Sequence, residues 1–175
     1  MVGNTPGIVT AALERLECGA RRGGRRLEDL EIIWAVRTGT AASTGEAQRQ
    51  ARPIAVHWGI LLWGAHWLKD AGLQLPELDI PEAIWKIYPD LAHAANWDEA
   101  IAATSFVPDE VIAQLCDALG LIGTPEHCAK RIMEMARIGV TNLYLMTLQT
   151  FAGPQRELAA FRDQIFPILK TQGYR

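Results

Sequence analysis

Two short, unbroken apolar runs constrain this 175-residue chain more than any other feature of it. One lies within Leu30-Glu31-Ile32-Ile33-Trp34-Ala35-Val36, and the other is Leu143-Tyr144-Leu145-Met146. Both have strand length and neither alternates polar with apolar residues, which is the pattern of a strand covered on both faces in a parallel sheet. An amphipathic helix that stops at glycine precedes each run. In the first unit Thr5 and Pro6 supply a cap and a first-turn proline, Val9, Ala12, Leu13, Leu16 and Ala20 recur at helical spacing, and Gly23 and Gly24 end the helix. The second unit repeats this with Gly123-Thr124-Pro125-Glu126, an apolar face of Cys128, Ile132, Met135 and Ala136, and a break at Gly139. A closing helix carries Leu158, Phe161, Ile165, Ile168 and Leu169. Helices alternating with buried strands predict the α/β class, with parallel strands joined by helical crossovers.

Between the units, residues 44–120 hold no good strand, and periodicity predicts helices over 46–52, 54–70, 82–93 and 109–119. A crossover needs only about a dozen residues, so this one carries a large helical insertion, placed at 54–122 within a single domain of residues 1–175. Connections of that length are usually functional. Two strands leave two apolar edges open, and sheets generally have more strands. The missing strands are therefore expected outside this chain, with a partner chain or self-association covering the edges.

Several function classes lose support. A net charge of -3 offers no general attraction for nucleic acid or an anionic membrane. The longest stretch without Asp, Glu, Lys or Arg, residues 53–68, is too short and too polar to span a bilayer. Cys18, Cys116 and Cys128 are odd in number and lack a C-x-x-C, so free thiols in a reducing compartment are expected. With no basic n-region and apolar h-region at the start, the cytoplasm is the expected location. The histidines, His57, His66, His93 and His127, form no H-E-x-x-H and have no cysteine at ligand spacing, so no metal site is expected. The basic cluster Arg21-Arg22-Gly23-Gly24-Arg25-Arg26 follows a helix end and meets Glu28, Asp29 and Glu31, as a solvated connection does.

The closing third is more specific. Gly123-Thr124-Pro125-Glu126-His127-Cys128-Ala129-Lys130-Arg131, then Ile138-Gly139-Val140-Thr141-Asn142-Leu143-Tyr144-Leu145, then Phe161 and Ile165-Phe166-Pro167-Ile168-Leu169 is similar to the C-terminal end of luciferase-like flavin-dependent oxidoreductases. That family includes flavin monooxygenases and deazaflavin-dependent methylene-tetrahydromethanopterin reductases. The opening, with its Ala-, Glu- and Arg-rich helix, Leu30 to Val36 and Glu46-Ala47, also resembles the family's stretch around strand seven. The resemblance implies a partial (β/α)8 barrel in which this chain supplies strands seven and eight, with the insertion after strand seven covering the pocket. It also implies FMN or a deazaflavin as cofactor, a small-molecule substrate, and hydride transfer or oxygen activation at the flavin. Groups that hold the cofactor phosphate in the family come largely from earlier strands, which no segment here matches. An incomplete site, inactive in this chain alone, is the expectation.

Barrel sites form at the C-terminal ends of strands. That singles out Arg37, Thr38 and Thr40 after the first strand, and Thr147, Gln149 and Thr150 after the second. The loop from Arg37 to Gly45 runs into a helix N-terminus that can hold a phosphate, so Arg37, Thr38, Thr40, Ser43 and Thr44 are the candidate cofactor-binding residues. The competing reading is a solvated turn with Ser43 or Thr44 as N-cap. Trp58, Trp63, Trp67, Trp85 and Trp97 suit an aromatic substrate or the isoalloxazine face, although packing of the insertion explains them as well. His57, Trp58, Thr147 and Gln149 are the candidate substrate pocket, and no residue is assigned to catalysis. The alternative is a noncatalytic subunit that pairs its open strand edges with a partner chain. A further alternative is an all-helical binding protein in which both runs are buried helix.

Overall fold

The computed structural model describes residues 3–61 and 72–174. Helix α1 (Pro6–Arg22) begins where its sequence directs: Pro6 needs no N–H partner in the first turn, and the Thr5 hydroxyl accepts from the amide of Ile8 at 3.3 Å. Its inner face, Ile8, Val9, Ala12 and Ala20, is buried. Strand β1 (Trp34–Thr40) follows, then α2 (Thr44–Val56), a π-helical turn His57–Leu61, 3-10 turns Glu82–Lys86 and Leu91–His93, α3 (Trp97–Ala103) and α4 (Asp109–Leu119). Strand β2 (Gly120–Gly123), α5 (Pro125–Arg137), β3 (Leu143–Thr147), α6 (Gln155–Ala160), a π-helical turn Phe161–Ile165 and α7 (Phe166–Thr171) complete the chain.

The three strands form one parallel sheet in the order β2-β1-β3. Ala35 stands opposite Tyr144 and Arg37 opposite Met146, so the two apolar runs are neighbouring parallel strands, as their composition predicts. All-helical packing of the runs is thereby excluded. On one face Trp34, Val36 and Leu121 pack with α1, α5 and the closing helix through Val9, Met135, Phe161 and Ile165. Burying each such side chain contributes about 1.5–3 kcal/mol. On the other face, towards the C-terminal ends of the strands, Ala41, Ile122 and Leu148 join Ile54, Ile112 and Leu115 of α2 and α4. The N-terminal half of that second face is open: Ile33 is 58% and Tyr144 61% exposed.

Five expectations need correction. First, β1 starts at Trp34 rather than Leu30 and runs through Thr40, because Arg37 to Thr40 pair with Gly120 to Gly123. Second, β2 itself was not expected; two of its four residues are glycine, which carries no strand signal. Gly120 is required there, since a Cβ would stand 2.2 Å from the Arg37 carbonyl oxygen. Third, a single helix passes through Pro53 where two were expected. Fourth, residues 82–93 form two 3-10 turns instead of a helix, interrupted by Pro89, which cannot donate to a helical ladder. Fifth, Leu158 is 62% exposed, outside the core face assigned to the closing helix. The helix expected over 54–70, with Trp63, His66 and Trp67, extends beyond the described residues.

Buried polar groups fasten the pieces. The Asn4 side chain donates to the Gly120 carbonyl at 2.8 Å and the Trp34 indole to the Gly3 carbonyl at 2.9 Å, tying the start of the chain to β1 and β2. Arg52, 8% exposed, donates to the carbonyls of Thr104 and Val107 and pairs with Asp109, holding the α3–α4 connection against α2.

Candidate functional site

The C-terminal ends of β1 and β3 lie side by side, and helix α2 starts from the loop after β1. A cavity of about 250 Å³ opens between them, lined by Thr40, Gln50, Thr147, Gln149, Gln155 and Arg156. A second, of about 490 Å³, adjoins it through Thr40 and Arg156 and reaches Thr124 and Glu126 at the start of α5. That helix end is a consequence of local sequence: the Thr124 hydroxyl accepts from the His127 amide at 3.3 Å, and Pro125 occupies the first turn.

Three sequence-selected residues, Thr40, Thr147 and Gln149, therefore share one cavity. Arg37, within β1 rather than after it, donates from Nη1 to the Thr147 carbonyl at 3.0 Å. No carboxylate pairs with its guanidinium among the described residues, and burial pulls its pKa down. Thr38 is fully buried and lines a cavity of about 480 Å³ with Leu145, Leu158, Phe161 and Phe166, which adjoins the first through Thr147, Gln155 and Glu157. Its hydroxyl has no hydrogen-bond partner. Ser43 acts as the α2 N-cap, accepting from the Glu46 amide at 3.2 Å, and neither it nor Thr44 lines the cavity shared by Thr40, Thr147 and Gln149.

His57 and Trp58 follow α2 and do not line that cavity either. His57 stands 3.9 Å from the Asp90 carboxylate, which also receives His93 Nδ1 at 2.9 Å and caps the turn that follows it. Burial lowers the His57 pKa despite the attraction of Asp90. Burial alone would raise Asp90, but hydrogen bonds from the His93 side chain and the Ala92 and His93 amides hold it below the usual carboxylate range. Of the other tryptophans, Trp97 donates to the Gln50 carbonyl at 3.0 Å, whereas Trp85 is 66% exposed and does not pack the insertion.

Arg156, which lines both adjoining cavities, and Glu157, whose carboxyl is raised by burial, were not singled out from sequence. Their signal is positional: Gly153-Pro154 closes the loop after β3, so the next residues face the strand ends. Chemically, the two adjoining cavities present one guanidinium, that of Arg156, with threonine hydroxyls and a helix N-terminus, alongside the carboxylates of Glu126, Glu157 and Asp163. Among the described residues no group of three His, Cys, Asp or Glu side chains could hold a metal ion.

A flavin makes a larger demand. Pockets for ligands of that size run to about 300–1,000 Å³, and the cavity at the ends of β1 and β3 falls below this. That cavity alone is too small for a whole flavin.

The coenzyme F420-dependent tetrahydromethanopterin reductase of Methanopyrus kandleri superposes with a TM-score of 0.61 at 19% identity, over 95% of this chain but 43% of the reductase. A riboflavin lyase solved with modified FMN and riboflavin gives 0.50 at 18% identity, over 99% of this chain and 38% of the lyase. The chain thus spans less than half the length of either structure. No curated protein matches it. The profile of the luciferase-like monooxygenases covers residues 1–142. By that match the chain belongs to the luciferase-like monooxygenase family.

Proposed function

We propose that the chain is one sector of a flavin- or deazaflavin-dependent oxidoreductase or monooxygenase, the C-terminal strands and lid of a luciferase-like barrel, acting in the cytoplasm. The observation that carries this is the meeting of Arg37, Thr40, Thr147, Gln149 and Arg156 where β1 and β3 end, in a chain whose family is luciferase-like. Bound flavin would supply hydride transfer or oxygen activation; the protein binds and orients. In this sector Thr40 and Gln149 offer hydrogen bonds to the cofactor, Arg156 neutralises negative charge, and Arg37 holds the Thr147 carbonyl in place. Ser43 and Thr44 act indirectly, by fixing where α2 begins. His57 and Trp58 border the substrate only from the far side of the second face, beyond Arg37.

The remaining walls belong to parts of the fold that this chain does not span, so it is inactive alone. Titrating FMN and a deazaflavin into labelled protein, followed by amide shifts, tests the reading. Weak binding that moves Thr40, Thr147 and Gln149 is expected. Tight stoichiometric binding contradicts the incomplete site, and shifts confined to other residues contradict its location. The second reading, a noncatalytic subunit that pairs its open edge with another chain, is favoured by the exposed side chains along β3.

A further inference from the structure

Two histidines share one carboxylate beside the end of α2. Asp90 Oδ1 accepts from the amides of Ala92 and His93 at 2.8 and 3.0 Å, and His93 Nδ1 lies 3.0 Å from Oδ1 and 2.9 Å from Oδ2. His57 approaches the same carboxylate from α2, at the start of the π-helical turn His57–Leu61, but stops at 3.9 Å, beyond hydrogen-bond length. Turns of that kind recur at functional sites. The His57 ring stands edge-on to Trp58 with centroids 5.6 Å apart, and its side chain is 13% exposed against 45% for His93. The inner histidine is thus held by burial, the outer one by hydrogen bonds. The turn that carries Asp90 and His93 rests on α2 through Leu91, which shares a core with Ile54 and Val56.

These positions decide what a proton on His57 does. Among the described residues, the charged or titratable groups that act on it are Asp90, His93 and Arg37. Burial opposes the charge most, because an imidazolium taken out of water loses its hydration. Asp90 favours it, yet its oxygens are already engaged by His93 and two amides and lie too far for a direct bond. His93 and Arg37 repel it. The neutral ring fits where it stands, and the charged ring is better placed in water. A ring that moves out towards water parts the end of α2 from the turn that carries Asp90.

We infer that His57, Asp90 and His93 form a proton-operated clasp, closed while His57 is neutral and loosened when His57 takes up a proton, which sets how firmly residues 88–95 lie on α2. The clasp owes nothing to flavin chemistry, so it holds or fails independently of the proposed function. It shares a charged neighbour with the candidate site, since Arg37 also donates to the Thr147 carbonyl. Amide hydrogen exchange of the full chain, corrected for the intrinsic pH dependence of exchange, tests it at about pH 7.5 and about pH 5.5, either side of the unperturbed imidazole value. The amides of Ala92, His93 and Ala95 bond to Asp90 and to the Tyr88 carbonyl. They should exchange faster at both pH values than buried amides of α1 and α5 such as Ala12 and Ala129, which marks an opening smaller than global unfolding. At the lower pH they should lose protection severalfold, and His57→Gln should abolish that loss. Protection equal to that of Ala12 and Ala129, protection that does not fall with pH, or a loss that persists in His57→Gln overturns the inference. If His57→Gln does not fold, the wild-type ring resonances decide: the His57 ring must titrate over the pH range in which protection falls, and a ring that stays neutral through it overturns the clasp.

Discussion

Replacing Gly120 by alanine strikes the strand that sequence patterning misses. Its backbone is extended, with φ of -163°, so alanine meets no dihedral penalty there. The cost is spatial: a Cβ would lie 2.2 Å from the Arg37 carbonyl oxygen and 3.0 Å from its carbon, where ordinary contact begins at 3.4 Å. Backbone atoms cannot rotate aside, so β2 must move off β1 by more than an ångström. Overpacking of this kind costs about 1–3 kcal/mol, and a lost ladder bond about 0.5–1.5 kcal/mol more. The reduced freedom of the unfolded chain returns about 0.4–1 kcal/mol. The net is a destabilisation of about 2 kcal/mol, or roughly 4–8 °C in Tm for a chain of this length. Urea unfolding monitored by circular dichroism measures it, with Gly45→Ala as control. Gly45 lies in the first turn of α2 with nothing within 4 Å of a new Cβ, so that change should be neutral or stabilising by up to about 1 kcal/mol. A Gly120→Ala midpoint equal to or above wild type would refute the β1–β2 pairing.

Arg52→Ala leaves the buried carbonyls of Thr104 and Val107 without their donor and should cost about 2–4 kcal/mol in urea unfolding; Arg52→Lys should recover only part of this. Thr38→Val replaces a buried, unpartnered hydroxyl by a methyl of similar shape and should raise stability by about 1 kcal/mol; a loss instead would mean that the hydroxyl is satisfied in the protein. His57 has its pKa lowered by burial, so the folded state favours its neutral form. Its contribution is complete above the unfolded value of about 6.5 and is lost as pH falls below that towards the folded value. The urea midpoint should therefore drop as pH falls below about 6.5, and His57→Gln should flatten the profile.

The parts of the fold legible in sequence are those fixed by local chemistry. Thr5-Pro6 and Thr124-Pro125 mark helix starts by capping, Asp109–Leu119 shows its period, and Leu143–Thr147 is too short and too apolar for a surface helix. What sequence hides is decided by partners far along the chain. Arg37 to Thr40 read as a turn because they are polar and contain glycine, yet pairing with residues 120–123 makes them strand. Pro53 reads as a break, but α2 continues through it, buried from Ala51 to Val56. The site divides in the same way. Position after a strand finds Thr40, Thr147 and Gln149; that Thr38 is a fully buried strand residue depends on a strand boundary that sequence does not supply. Trp58 and His57 were grouped with the pocket on composition alone, and the structure places His57 with Asp90 and His93 instead.

Everything functional here rests on β1 and β3 being parallel neighbours whose C-terminal ends share a cavity. Backbone shifts and interstrand proton contacts in labelled protein measure this directly. Extended shifts at residues 34–40, 120–123 and 143–147, with contacts joining Trp34 to Leu143 and Ala35 to Tyr144, are the expected result. Helical shifts at 143–147, or contacts showing an antiparallel or separated pair, would contradict the sheet and the site built on it.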